Sequence, residues 1–168
     1  MNAAPSTHHL AAFWRSLADS EQRPTRYLGR ALLADLPVTY AVGLLLNWLT
    51  HTSWPVYPRE MLPRVLLGAC VISPLVETFA MAVILWILRR FMGGTSYLPW
   101  ASALVCAGAH SLAKPLWGIE IFWSFVIFSF CFTTWEKKSW LAAFWMTAAL
   151  HALHNLVPTA VIALRAGP

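Results

Sequence analysis

Apolar residues dominate the chain in long runs, and polar residues gather in the short stretches between them. The first run, about Ala31 to Leu49, predicts a membrane-crossing helix, because ~20 apolar residues span a ~30 Å hydrocarbon core. Trp48, Trp54 and Tyr57 mark an interface beyond it, and Pro55 and Pro58 make that connection irregular. The second run extends from Met61 to Leu88 and stops at Arg89-Arg90. It is long for one span and contains Ser73-Pro74, which predicts a kink or two short helices in series. Gly93-Gly94 forms the next turn. The third run covers Tyr97 to Ala113 and ends at Lys114-Pro115. The fourth covers Ile119 to Trp135, and Glu136-Lys137-Lys138 is a tight polar turn. The fifth covers Ser139 to Ala163, with Pro158 late in it. Ahead of these, Leu10, Phe13, Trp14 and Leu17 share one helical face and predict a short interfacial helix. Arg23-Pro24-Thr25-Arg26 reads as a break after it. The pattern predicts an all-α polytopic membrane bundle of about five to six transmembrane helices. Residues 1–27 form its N-terminal cytoplasmic or interfacial segment, and residues 28–168 its transmembrane domain.

Composition agrees and narrows the function. The 168 residues are 58% hydrophobic, 14% aromatic and 11% charged, with mean hydropathy +0.58. A soluble domain carries about 25% charged residues. A soluble enzyme, a disordered tail, a disulfide scaffold and a nucleic-acid module are poor fits. The formal charge of +5 reflects Lys and Arg placed between apolar runs, where they orient the chain in a bilayer. Arg15, Arg23, Arg26, Arg30, Arg89, Arg90, Lys137 and Lys138 share one side; Arg59, Arg64, Lys114 and Arg165 share the other. Eight against four predicts a cytoplasmic N-terminus; the expected location, a bacterial inner membrane, does not follow from the charge count. Residues 1–27 hold no apolar stretch of the signal-peptide kind. Cys70, Cys106 and Cys131 lie inside apolar runs and read as small core hydrophobes.

An ionisable residue inside a span costs ~2.5–3.5 kcal/mol on insertion scales and points to function. The second span carries Glu77, with Thr78 beside it as an expected supporting residue, the third His110, and the fifth His151, His154 and Asn155. Depth relates them at ~1.5 Å per residue. Glu77 lies about 20 Å in from Arg90, His110 about 20 Å in from Tyr97, and His151 about 18 Å in from Ser139. His151 and Asn155 are four apart and face one way. His154 is displaced by one residue and reads as a structural or supporting group. Lys114 and Glu120 sit near a membrane end and read as solvated. The aromatic residues of the fourth span read as packing and lipid-facing side chains.

One carboxylate, two or three imidazoles and an amide suit three chemistries. A carboxylate paired with a histidine activates water, and a second histidine with an amide stabilises an oxyanion. Glu, His and His can also hold zinc, although no HExxH occurs. Two histidines at matched depth can also hold haem iron axially.

At these residues the chain resembles the CPBP family of intramembrane endopeptidases, the CAAX-protease and bacteriocin-processing group. That family carries EExxxR, FxxxH and HxxxN or HxxxD on three helices. Pro74-Leu75-Val76-Glu77-Thr78 resembles the first motif, Cys106-Ala107-Gly108-Ala109-His110 the second, and His151-Ala152-Leu153-His154-Asn155 the third. The likeness covers about residues 65–160. It implies that residues 28–168 are a catalytic domain for glutamate-dependent proteolysis. Glu77 and His110 would activate water, and His151 and Asn155 would form the oxyanion site. It implies no cofactor or metal, and a membrane-anchored protein as substrate. Thr78 stands where the family has a second Glu, Ala82 where it has Arg, and Cys106 where it has Phe. These departures point either to different supporting groups or to a member without protease activity, acting as an immunity or assembly partner. The compact chain also resembles the myxosortase-like sorting proteases, which implies a substrate with a C-terminal hydrophobic tail.

Overall fold

The computed structural model describes residues 12–51 and 56–166. Leu10, Trp54 and Pro55 lie outside the described residues. Helix α1 covers residues 12–17. It is followed by α2 (Pro24–Thr50), α3 (Leu62–Leu67), α4 (Ser73–Met92), α5 (Leu98–Ala113), α6 (Trp117–Trp135) and α7 (Trp140–Arg165). A 3₁₀ turn, Arg59–Met61, leads into α3, and a π-helical turn, Gly68–Ile72, joins α3 to α4. Arg59 to Met92 is therefore one helical run with a widened turn inside it. The bundle is all-α. Among the described residues, four runs are long and apolar enough to cross a membrane: α2, Arg59–Met92, α6 and α7. The α5 helix is apolar but has 16 residues, about 24 Å of rise. The protein is an integral membrane protein.

The N-terminal half of α2 corrects the expected break. Arg23 is extended, and Pro24 starts the helix in its first turn. Proline belongs there, because its missing N–H is one of those left unpaired at any helix start. The α1 segment is docked rather than lying free on a surface. Leu17 is buried, and its carbonyl accepts from Tyr27 Oη at 3.2 Å and Thr134 Oγ1 at 3.0 Å. Lys137 Nζ donates to the Ala18 carbonyl at 3.2 Å. Trp14 remains exposed.

The central helix is α6, packed against α2, α5 and α7. It is apolar all round, the pattern of a helix enclosed by neighbours. Phe125, Val126, Ile127, Phe128 and Phe132 are all buried on it. The α5–α6 crossing depends on Gly118: a Cβ there would lie 2.1 Å from the Ala107 carbonyl oxygen and 2.2 Å from Ser111 Oγ. Small residues permit such backbone approach between membrane helices. Leu33, Leu44, Trp86, Phe91, Leu104 and Leu164 are exposed on the outer faces, where lipid is the matching solvent.

One end of the bundle gathers basic groups assigned from sequence to a single side. Arg89 forks onto Glu136 with distances of 3.0 and 2.6 Å, and Lys138 Nζ lies 3.7 Å from Glu21. The α2–α3 and α5–α6 connections, with Tyr57 and Lys114, lie at the other end.

Candidate functional site

Proline shapes the wall of the site. Pro74 has no N–H, and in a regular helix its ring clashes with the carbonyl four residues back. The chain widens into the π turn before it, and the Ser73 N–H bonds to the Gly68 carbonyl, five residues back. The Ala69 carbonyl is left without a backbone donor: Ser73 is spent on Gly68, and Pro74 has nothing to give. Asn155 Nδ2 on α7 donates to it at 2.8 Å. π turns of this kind recur at functional sites. Where the sequence predicts a kink or two short helices in series at Ser73-Pro74, the structure has this widened turn within one continuous run.

One helical turn past Pro74 stands Glu77. Ser73 Oγ donates to Glu77 Oε1. The other carboxylate oxygen, Oε2, lies 3.4 Å from His110 Nε2 on α5 and 3.8 Å from His151 Nε2 on α7. Three helices thus bring Glu77, His110 and His151 together. His110 Nδ1 lies 2.8 Å from the Cys106 carbonyl. A carbonyl only accepts, so Nδ1 carries a proton and Nε2 is the nitrogen turned to Glu77. The His151 ring is 4% exposed and stacks on Phe128 with centroids 4.6 Å apart. Its Nδ1 is buried with no hydrogen-bond partner among the described residues. The neutral ring therefore places its proton on Nε2, which faces an acceptor.

Asn155 belongs to the cluster, but one of its amide protons is committed to Ala69. The second N–H and Oδ1 remain for the cavity. Thr78, the neighbour expected to support Glu77, is buried with its hydroxyl unpaired among the described residues. That support comes from Ser73, one turn earlier on the same face. Ala82 is a core residue.

Sequence reasoning misses Asp35. It lies in the first apolar run and is 0% exposed. Thr39 Oγ1 and Ser124 Oγ donate to its Oδ1 at 3.0 and 2.8 Å. The two hydroxyls also lie 2.8 Å apart, so two protons serve three contacts. His154 Nδ1 meets Asp35 Oδ2 at 2.7 Å, and the Tyr40 ring stacks on His154. A carboxylate inside a membrane needs such full satisfaction. The signal was available: an ionisable residue inside a span, the same rule that singles out Glu77.

Two cavities meet this cluster. An inner space of about 80 Å³ is lined by Ser73, Glu77, His110, His151, His154 and Asn155, with Phe125 and Phe128 as apolar walls. It has room for two or three waters, at about 30 Å³ each. It is too small for haem between His110 and His151. No group of three or more His, Cys, Asp or Glu among the described residues has metal-holding geometry. The outer cavity, about 430 Å³, shares Ser73, Glu77, His154 and Asn155 and extends past Tyr40 to Tyr57, Lys114 and Glu120. It opens towards the end of the bundle away from Arg89 and Lys138. Lys114 is exposed, as the sequence suggests. Glu120 is half-buried, and its carboxylate folds over Gly43: a Cβ there would lie 2.7 Å from Oε1. No family model, no curated protein and no solved structure matches this chain.

Proposed function

We propose that this protein is a glutamate-dependent intramembrane protease of the CPBP type, cleaving a membrane-anchored protein substrate. The observation that carries the reading is Glu77 Oε2 at 3.4 Å from His110 Nε2 and 3.8 Å from His151 Nε2, on three helices beside a water-sized space. A nucleophilic water has room in the space that these three groups line, beside the carboxylate rather than between it and the rings. In the mechanism, Glu77 with His110 takes a proton from that water as its oxygen attacks the scissile carbonyl. His151 Nε2–H and the uncommitted Asn155 N–H hold the developing oxyanion. Ser73 fixes the carboxylate in place of a second Glu.

The outer cavity supports a substrate entering from the end that carries Tyr57 and Lys114. With the N-terminus cytoplasmic, that end faces outwards, which suits the hydrophobic C-terminal tail of an exported protein at a bacterial inner membrane. A reporter fused after Arg165 should read as external; a cytoplasmic reading would remove the sorting role.

The test compares C-terminal peptides of membrane and secreted proteins by mass spectrometry in the source cell. Wild-type and Glu77→Gln chains are expressed at matched level. Tails retained only with Glu77→Gln would identify a protease and name its substrates. Identical profiles from a folded, abundant Glu77→Gln protein would refute proteolysis. They would favour the second reading, a non-catalytic CPBP-like protein acting as an immunity or assembly partner. The replacement of the family's Glu and Arg by Thr78 and Ala82, both buried and neither bonded to Glu77 among the described residues, favours that reading.

A further inference from the structure

The water-activating groups leave one step unassigned. Peptide cleavage also requires a proton for the departing nitrogen, and the roles given to Glu77, His110, His151 and Asn155, on water and oxyanion, name no donor for it.

We infer that His154, held by Asp35, is the proton donor to the leaving nitrogen, which makes it a further catalytic residue with Asp35 as its positioning residue. The inference rests on the proteolytic reading above. Three observations carry it. His154 Nδ1 is committed to Asp35 Oδ2 at 2.7 Å, so the ring orientation is set. Its Nε2 makes no hydrogen bond among the described residues, and the side chain borders both the inner and the outer cavity. Asp35 is in turn held by Thr39 and Ser124, so the carboxylate cannot rotate away. A buried carboxylate on one imidazole nitrogen, with the other nitrogen open to a cavity, is the arrangement of a general acid or base.

Protons and bonds balance. Water oxygen bonds to the scissile carbon, and its proton goes to the Glu77 carboxylate. The C–N bond breaks as the nitrogen takes the Nε2 proton of the His154 imidazolium. The products are a carboxylic acid and an amine. A cavity water then passes the Glu77 proton to His154, restoring both groups.

The experiment uses the full-length protein in detergent and two probes built from a tail that accumulates with Glu77→Gln. One is a synthetic peptide spanning the cut junction; the other is the same peptide with an ester in place of the scissile amide. An alkoxide leaves with far less help from an acid than an amine does. His154→Gln is expected to slow amide cleavage by about 10²-fold or more, with a loss on the ester at least ten times smaller. Asp35→Asn should show the same amide-against-ester split, and Asp35→Asn/His154→Gln should be no slower than His154→Gln alone. Equal losses on both probes would overturn the inference, because a structural defect does not distinguish leaving groups. Wild-type amide cleavage by His154→Gln would overturn it too. Variants that fail to fold are replaced by His154→Asn, read by the same split. If Glu77→Gln cleaves both probes at the wild-type rate, the proteolytic mechanism itself falls, an outcome distinct from the loss of His154's role alone.

Discussion

Asn155 should matter for stability because of a residue it never touches. The Ala69 carbonyl lacks a backbone donor because Pro74 has no N–H and Ser73 is bonded to Gly68. Asn155 Nδ2 satisfies it at 2.8 Å. Asn155→Leu keeps the branched shape and the heavy-atom count of the side chain and removes that donor. Leaving a buried acceptor unpaired costs roughly 1–3 kcal/mol, while side-chain hydrogen bonds in membrane bundles reach about 1.7 kcal/mol at most. The overlap gives about 1–1.7 kcal/mol for Asn155→Leu. Pro74→Ala returns an N–H one turn past Ala69 and relieves the ring clash, so the carbonyl ladder closes without Asn155. In the Pro74→Ala background Asn155→Leu should cost under about 0.5 kcal/mol, leaving a coupling of about 1 kcal/mol in the double-mutant cycle. The assay is reversible unfolding in mixed detergent micelles, followed by helical circular dichroism. Equal costs of Asn155→Leu in the two backgrounds would refute the assignment of Asn155 as the surrogate donor.

The packing and the ion pairs yield further outcomes in the same unfolding assay. Gly118→Ala should destabilise by about 1–3 kcal/mol or more, since its Cβ meets the Ala107 backbone; Gly43→Ala should cost less, because only the mobile Glu120 carboxylate must move. A Gly118→Ala protein as stable as wild type would refute the close α5–α6 approach. Asp35→Ala should cost about 3–5 kcal/mol by stranding His154 in the membrane, and Asp35→Leu/His154→Leu should recover much of that loss; additive losses would remove the pair as a unit. Arg89→Ala and Glu136→Ala should each cost no more than about 1 kcal/mol, because the pair is partly exposed. Their coupling should shrink from low to high salt, and a salt-independent coupling would count against the solvated position of that end.

Sequence alone determines whatever lies along the helix axis. Long apolar runs, separated by Gly93-Gly94, Lys114-Pro115 and Glu136-Lys137-Lys138, declare an all-α membrane bundle, because an unpaired backbone cannot survive in hydrocarbon. Counting from the ends at a fixed rise puts Glu77, His110 and His151 at one level, and they do meet. Position around the axis is a different quantity. It depends on which neighbour each helix packs against, and one chain of letters does not hold that. Only the tertiary structure turns Asp35 of α2 onto His154 of α7, 119 residues away. It likewise puts Ser73 rather than Thr78 on Glu77, and spends half of the Asn155 amide on a carbonyl that Pro74 has orphaned. Depth is a local sum over consecutive residues, whereas azimuth is settled by packing all the helices together, and the partners of each buried polar group follow from azimuth.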